Sequence, residues 1–256
     1  MPLSGCLKMS AQTDPLQMIR INPEDIRFDD DPETLGALIC ERIGYSLDTV
    51  SEQIYSRITD IIQKGLNAVE LAFLIRTTAI TGWEKEKIDG KCVTIDSKKW
   101  ATLLNTMSSP EVLCCFIVTL GKQIDRMNEA LREKNLFDPF VMDAFGSVIV
   151  EKAADYLELN IRTELESNNY ECSRRFSPGY CDWELKAGQE TLCGFLDPEK
   201  IGVRCLGSGS MIPAKSVSAV MVGAKHVPWK TPCRFCREIN CPYRRDNNRT
   251  REDLKK

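Results

Sequence analysis

Apolar residues recur at helical spacing along much of this chain, and near its C-terminal end the pattern becomes strand-like. Residues 25–28 read as a short edge strand. Pro32 then opens a helix to about Arg42, with Gly44 just past its end. From Asp48 onward, Val50, Ile54, Ile58, Ile61 and Ile62 share one face, which predicts a helix to about Lys64. A further helix is expected over 69–78. Residues 91–95 alternate like a strand. Ser97 and the Ser109-Pro110-Glu111 triplet supply caps for helices ending near Asn105 and Lys134. The nine-residue apolar run 112–120 lies inside the second of these and reads as a buried helical segment. Asp138-Pro139 starts the longest helix, to about Glu166. Beyond Gly179 the pattern changes: residues 184–196 predict a last helix, and the valine-rich stretches 202–206 and 216–222 predict strands. The fold class expected is α+β, with helices packed on a small, mainly antiparallel sheet.

Composition narrows the picture. With 256 residues the chain can bury a core without a metal or a disulfide. A formal net charge of -3 gives no general attraction for nucleic acid or an anionic membrane, and no apolar run is long enough to cross a bilayer. Leu3-Ser4-Gly5-Cys6 has the form of a lipoprotein cleavage site, but too few residues precede Cys6 to make a signal peptide, and Met18 is an alternative start. Twelve cysteines without a secretory signal point to a reducing cytoplasm, with thiols free or metal-bound, and the adjacent Cys114 and Cys115 read as buried thiols. The expected organisation is a flexible tail over 1–17, one domain over 18–225, a cysteine-rich metal-binding appendix over 226–243, and a disordered charged tail over 244–256.

Two segments carry the chemistry. The first is Arg174-Arg175-Phe176-Ser177-Pro178-Gly179-Tyr180-Cys181-Asp182, and the second is Met211-Ile212-Pro213-Ala214-Lys215-Ser216-Val217-Ser218. Taken alone, Ser-Pro-Gly-Tyr reads as a surface turn. Together and in this order, the segments resemble the Arg-x-x-x-Gly-Tyr turn and the Met-x-Pro-x-x-Ser-Val-Ser strand of the activation module of cobalamin-dependent methionine synthase. With stand-alone relatives of that module the similarity spans 20–243. The resemblance implies a site for S-adenosylmethionine in which Arg175 holds the ligand, Tyr180 belongs to the Gly-Tyr turn, and Gly179 lets the backbone approach closely. Asp182 would contribute backbone groups, and Ser216 and Met221 would lie on the strand that walls the cleft. Lys215 stands where the module has a small residue, and Met221 and Val222 stand where it has aromatics. The residue chemistry is compatible: a guanidinium fork suits the ligand's carboxylate, and acidic or carbonyl oxygens suit its cationic groups.

On the longest predicted helix, Glu151, Asp155, Glu158 and Arg162 are spaced to share one face. Such a row reads either as a solvated, salt-bridged face or as the acidic side of a ligand site. Glu151 is the first candidate for the site.

Cys233-x-x-Cys236-x-x-x-x-Cys241-Pro242 has a spacing that lets thiolates converge on one metal. His226 would complete a zinc site, whereas an iron-sulfur cluster would take its fourth ligand elsewhere. Free thiols in a turn are the remaining alternative.

The function implied by the resemblance is that of an accessory protein for reductive methylation, which returns an oxidised corrinoid to its methylated state. Its partners would be a corrinoid-binding protein or cobalamin-dependent methyltransferase, and a reductase, ferredoxin or flavodoxin as electron donor. The alternative is a metal-cluster electron carrier or adaptor for such a methyltransferase system. No catalytic residue is assigned, because displacement at a sulfonium methyl needs no proton transfer.

Overall fold

The computed structural model describes residues 32–46 and 48–235. The expected strand over 25–28, both tails, and Cys236 and Cys241 lie outside the described residues. Helix α1 spans Pro32–Arg42 and α2 spans Glu52–Ala68. The latter is capped by Ser51, whose hydroxyl accepts from the Ile54 amide. Ile58, Ile61 and Ile62 form its buried face, as their spacing predicts.

Two expected helices are strands. Residues expected to form a helix over 69–78 lie largely in β1, Ala72–Trp83, and those from Ser108 to Thr119 form β4. Helix α4 follows only at Lys122–Arg132. The reason is visible in the burial of β4, where Val112 to Val118 are all fully buried. A strand covered on both faces shows a continuous apolar run and no alternation, so periodicity cannot separate it from a buried helix. Val112, Cys114, Phe116 and Val118 face one core, and Leu113, Cys115 and Ile117 face the other.

Strands β2 (Lys87–Gly90) and β3 (Val93–Asp96) form a hairpin beside β1. Strands β5 (Glu171–Cys172) and β8 (Ser216–His226) complete a six-stranded sheet in the order β3-β2-β1-β4-β8-β5, and every adjacent pair is antiparallel. Helices α1, α2, α4 and the 31-residue α5 (Phe137–Ser167) cover one face. Helices α3 (Lys98–Leu104) and α6 (Leu185–Leu196) cover the other. Strands β6 (Arg204–Cys205) and β7 (Met211–Ile212) make a separate two-stranded ribbon. The architecture is therefore α+β with a mainly antiparallel sheet. Among the described residues no helix is long and apolar enough to cross a membrane.

Candidate ligand cleft at the open end of strand β8

The Arg-x-x-x-Gly-Tyr segment runs along the free edge of β8. Phe176 pairs with Val220 through two backbone hydrogen bonds of 2.9 Å, and Ser173 bonds Val222. Side chains alternate here as in a strand, so Phe176 and Arg175 enter opposite faces of the sheet. Phe176 stacks between Trp100 and Trp183, at centroid separations of 5.2 and 5.6 Å, and meets Tyr180 edge-on. This aromatic stack anchors the turn that follows. Gly179 adopts φ +87, a backbone conformation that glycine accepts without steric cost, and its amide bonds the Trp183 carbonyl. Ser-Pro-Gly-Tyr is thus fixed to the second core.

Arg175 enters the helical side. Its guanidinium, with the side chain only 2% exposed, meets Glu151 at 2.6 Å, Glu158 at 3.4 Å, and Asp155. Burial would lower the Arg175 pKa, but Asp155, Glu151 and Glu158 together raise it above its ordinary value. Glu158, 4% exposed in its side chain, also accepts from Arg162 at 2.8 Å. The predicted acidic row therefore shares one face of α5 and closes on Arg175. Two members of the row are exposed, Glu151 at 46% and Asp155 at 63% of their side chains, whereas Glu158 is buried.

Beyond Ser177 the chain leaves β8, and the strand's edge opens into a cleft of about 420 Å³. That volume lies within the roughly 300–1,000 Å³ usual for small-molecule sites. Ser216, Val217 and Ser218 form its floor, Ser177, Pro178 and Tyr180 one side, and Glu151 of α5 another. Leu185 and Gln189 of α6 complete the lining with Gly209, Ser210 and Met211 of the β6–β7 hairpin, and Gly209 lies close against Leu185. Because Val220 exchanges backbone bonds with Phe176, the alternation of an antiparallel ladder turns the amide and carbonyl of Ser218 toward the same edge, here the cleft. The side chain of Ser218 donates to Gln189 at 2.8 Å.

The sequence-predicted site residues divide accordingly. Tyr180, Ser216 and Glu151 line the cleft, and Arg175 touches it through Glu151. Gly179 shapes the turn. Asp182 lies elsewhere: its carboxylate accepts from the Ser97 hydroxyl at 2.8 Å and the Lys99 amide at 3.0 Å, fastening the start of α3. Met221 is fully buried against the helices of the first core and does not line the cleft. Lys215 takes the space above a glycine. A Cβ at Gly146 would stand 2.8 Å from its Cγ, and its ammonium reaches Asp143 at 2.7 Å. Sequence reasoning missed Gln189, Ser218 and the Trp183 anchor. Ser218 had a signal, since it shares the strand parity of Ser216, whereas nothing local marks Gln189.

Cys233 lies in the single turn Pro232–Phe235, which packs on α3, and its amide bonds the Thr231 hydroxyl. His226 bonds Glu171 through Nδ1 at 3.0 Å. The described residues contain no group of three metal-ligating side chains, and the other two cysteines of the motif lie outside them. Contrary to the expectation of free or metal-bound thiols, Cys193 and Cys205 form a disulfide between α6 and β6.

Residues 103–229 match the family model described as vitamin B12 dependent methionine synthase, activation domain. That segment belongs to this activation-domain family. It covers β4, α4, α5, the anchored turn, α6 and β8, and so contains every cleft-lining residue. A solved structure titled as the MetH reactivation domain bound to AdoHcy shares the fold, with TM-score 0.54 and 14% identity, over 79% of this chain and 78% of that one. No curated protein matches the chain.

Proposed function

We propose that this activation-domain relative binds S-adenosylmethionine in the cleft at the open end of β8 and presents its methyl group to the cobalt of a partner's corrinoid. The supporting observation is the convergence of both motif segments, far apart in sequence, on one cleft beside an acidic residue held by Arg175. The solved relative of the same fold holds AdoHcy, the product that methyl donation would leave.

Each wall has a task in this reading. The Glu151 carboxylate takes the ligand's ammonium, and Arg175 fixes that carboxylate from behind. The edge amide and carbonyl of Ser218 suit polar atoms of the ligand, while Pro178, Tyr180, Leu185 and Met211 supply apolar wall. The corrinoid cobalt, reduced by one electron from a donor protein, attacks the methyl carbon as the carbon–sulfur bond breaks, and S-adenosylhomocysteine leaves. No proton moves, so the chain contributes orientation and exclusion of water and needs no general base.

The cysteine motif supports a companion proposal, a zinc or iron-sulfur centre on Cys233, Cys236 and Cys241, which rests on their spacing. Elemental analysis and the colour of anaerobically purified protein test it: iron with a brown colour or colourless zinc supports it, and metal-free protein removes it. The electron-carrier reading depends on that centre, whereas the cleft favours ligand binding.

Calorimetry tests the principal reading. S-adenosylmethionine should bind the intact chain with one site per molecule, and Tyr180→Ala should weaken it. Absence of binding at millimolar ligand would remove the proposed function.

A further inference from the structure

Two walls of the cleft are joined covalently. Helix α6 contributes Leu185 and Gln189, the β6–β7 ribbon contributes Gly209 to Met211, and the Cys193–Cys205 bond ties the first to the second with a Cα separation of 6.5 Å. The ribbon's other holds on the fold are packing contacts, with buried Gly209 close against Leu185 and Lys186 of α6 and Met211 against the second core. The ribbon's ladder comprises only the pairs Arg204–Ile212 and Cys205–Met211, closed by the Leu206 amide on the Ser210 carbonyl, and it is not part of the main sheet. A two-stranded ribbon this short is not stable by itself.

The bond also reaches the ligand-facing surface directly. Gln189 directs its amide nitrogen at the Cys193 sulfur at 3.3 Å, with the Cys205 sulfur at 3.8 Å, and its amide oxygen accepts from Ser218 at 2.8 Å. The sulfur pair thus sets the orientation of a carboxamide that lines the cleft and holds the buried Ser218 hydroxyl of β8. Cys193 and Cys205 are both partly exposed, so a reductant can approach them.

We propose that Cys193 and Cys205 are a thiol–disulfide exchange site, and that reduction by a dithiol protein loosens the ribbon wall and weakens ligand binding in the cleft. A thiolate of the dithiol attacks one sulfur of the pair, giving a mixed disulfide and releasing the other as a thiolate. The dithiol's second thiolate then displaces the chain's remaining sulfur. Two electrons and two protons pass to the chain, which is left with two thiols, and the donor leaves as its own disulfide. Ligand affinity falls because the ribbon must then be ordered on binding. The affinity component rests on the proposed function, whereas the exchange site and the loosening of the ribbon stand apart from it.

The test compares the full chain before and after treatment with dithiothreitol, using alkylation mapping, hydrogen exchange and calorimetry with S-adenosylmethionine. Reduction should add alkyl groups at both Cys193 and Cys205, speed amide exchange in peptides covering 204–212, and raise the dissociation constant roughly tenfold. Cys193→Ser with Cys205→Ser should behave as the reduced form under either condition. A pair that resists dithiothreitol, or exchange over 204–212 that is unchanged by its reduction, overturns the proposal, as does an unchanged dissociation constant. Exchange that responds while the ligand binds in neither state upholds the exchange site and removes the ligand reading.

Discussion

In the proposed site, Arg175 and Glu151 divide the tasks that the resemblance assigns to Arg175 alone. A guanidinium whose side chain is 2% exposed, with three carboxylates around it, acts through Glu151, the carboxylate that faces the cleft. Glu151→Gln removes the charge that the proposed site would offer to the ligand's ammonium and keeps the shape. It should weaken S-adenosylmethionine binding by about 1.5–3 kcal/mol, the usual scale of a charged hydrogen bond, with little change in melting temperature. Arg175→Ala should lose a similar affinity and also stability, about 1–3 kcal/mol, because buried Glu158 keeps Arg162 but loses one cationic partner. Calorimetry and thermal denaturation of both variants separate these effects. An arginine variant with unchanged stability would contradict the buried network. The carboxylate row was legible from helical spacing alone, whereas its closure on Arg175 depends on a strand pairing some twenty residues later that no local pattern encodes.

At the scale of elements, the long helix α5 was readable because its start is written in short-range chemistry. The Asp138 amide donates to the Asn135 side chain at 2.8 Å, and Asn135 returns a bond to the Asp138 carboxylate at 2.8 Å. Arg57 of α2 adds a bond at 2.6 Å. That bond is the main cause holding the Asp138 pKa below its ordinary value, against partial burial that would raise it. A depressed carboxylate pKa stabilises the fold at pH values above the unfolded pKa, about 3.9, and the contribution fades as pH falls through the lower folded value. Asp138→Asn should therefore be less stable than the parent at neutral pH, with the difference shrinking below about pH 4. Denaturant melts across that range measure it, and a difference independent of pH would contradict the assignment. Strand β4 shows the opposite case. Nothing local distinguishes its apolar run from a buried helix, and only the covering of both faces by separate helical layers makes it a strand. Strand β1 was lost for a related reason, since it takes its identity from pairing with β2 and β4.

Over the whole molecule, the sheet places the site by running out of partners. Strand β8 is paired on one side by β4 along nearly all its length, but on the other its partners among the described residues are Glu171, Cys172, Ser173 and Phe176, at positions from Val220 onward. The remaining edge, Ser216 to Ser218, is where the two motif segments, α5, α6 and the disulfide-linked ribbon converge. The resemblance identified both motif segments, and the chain's own pairing shows why they meet. Met221 was misplaced as a wall residue because strand parity, which turns it to the helical core, was not applied along β8. In the proposed function this open edge is the S-adenosylmethionine site. A crystal structure of the chain with S-adenosylhomocysteine tests it most directly. The ligand should lie between Glu151 and the Ser218 edge, with its ammonium at the Glu151 carboxylate. A ligand bound outside that cleft, or none at saturating concentration, would contradict the claim.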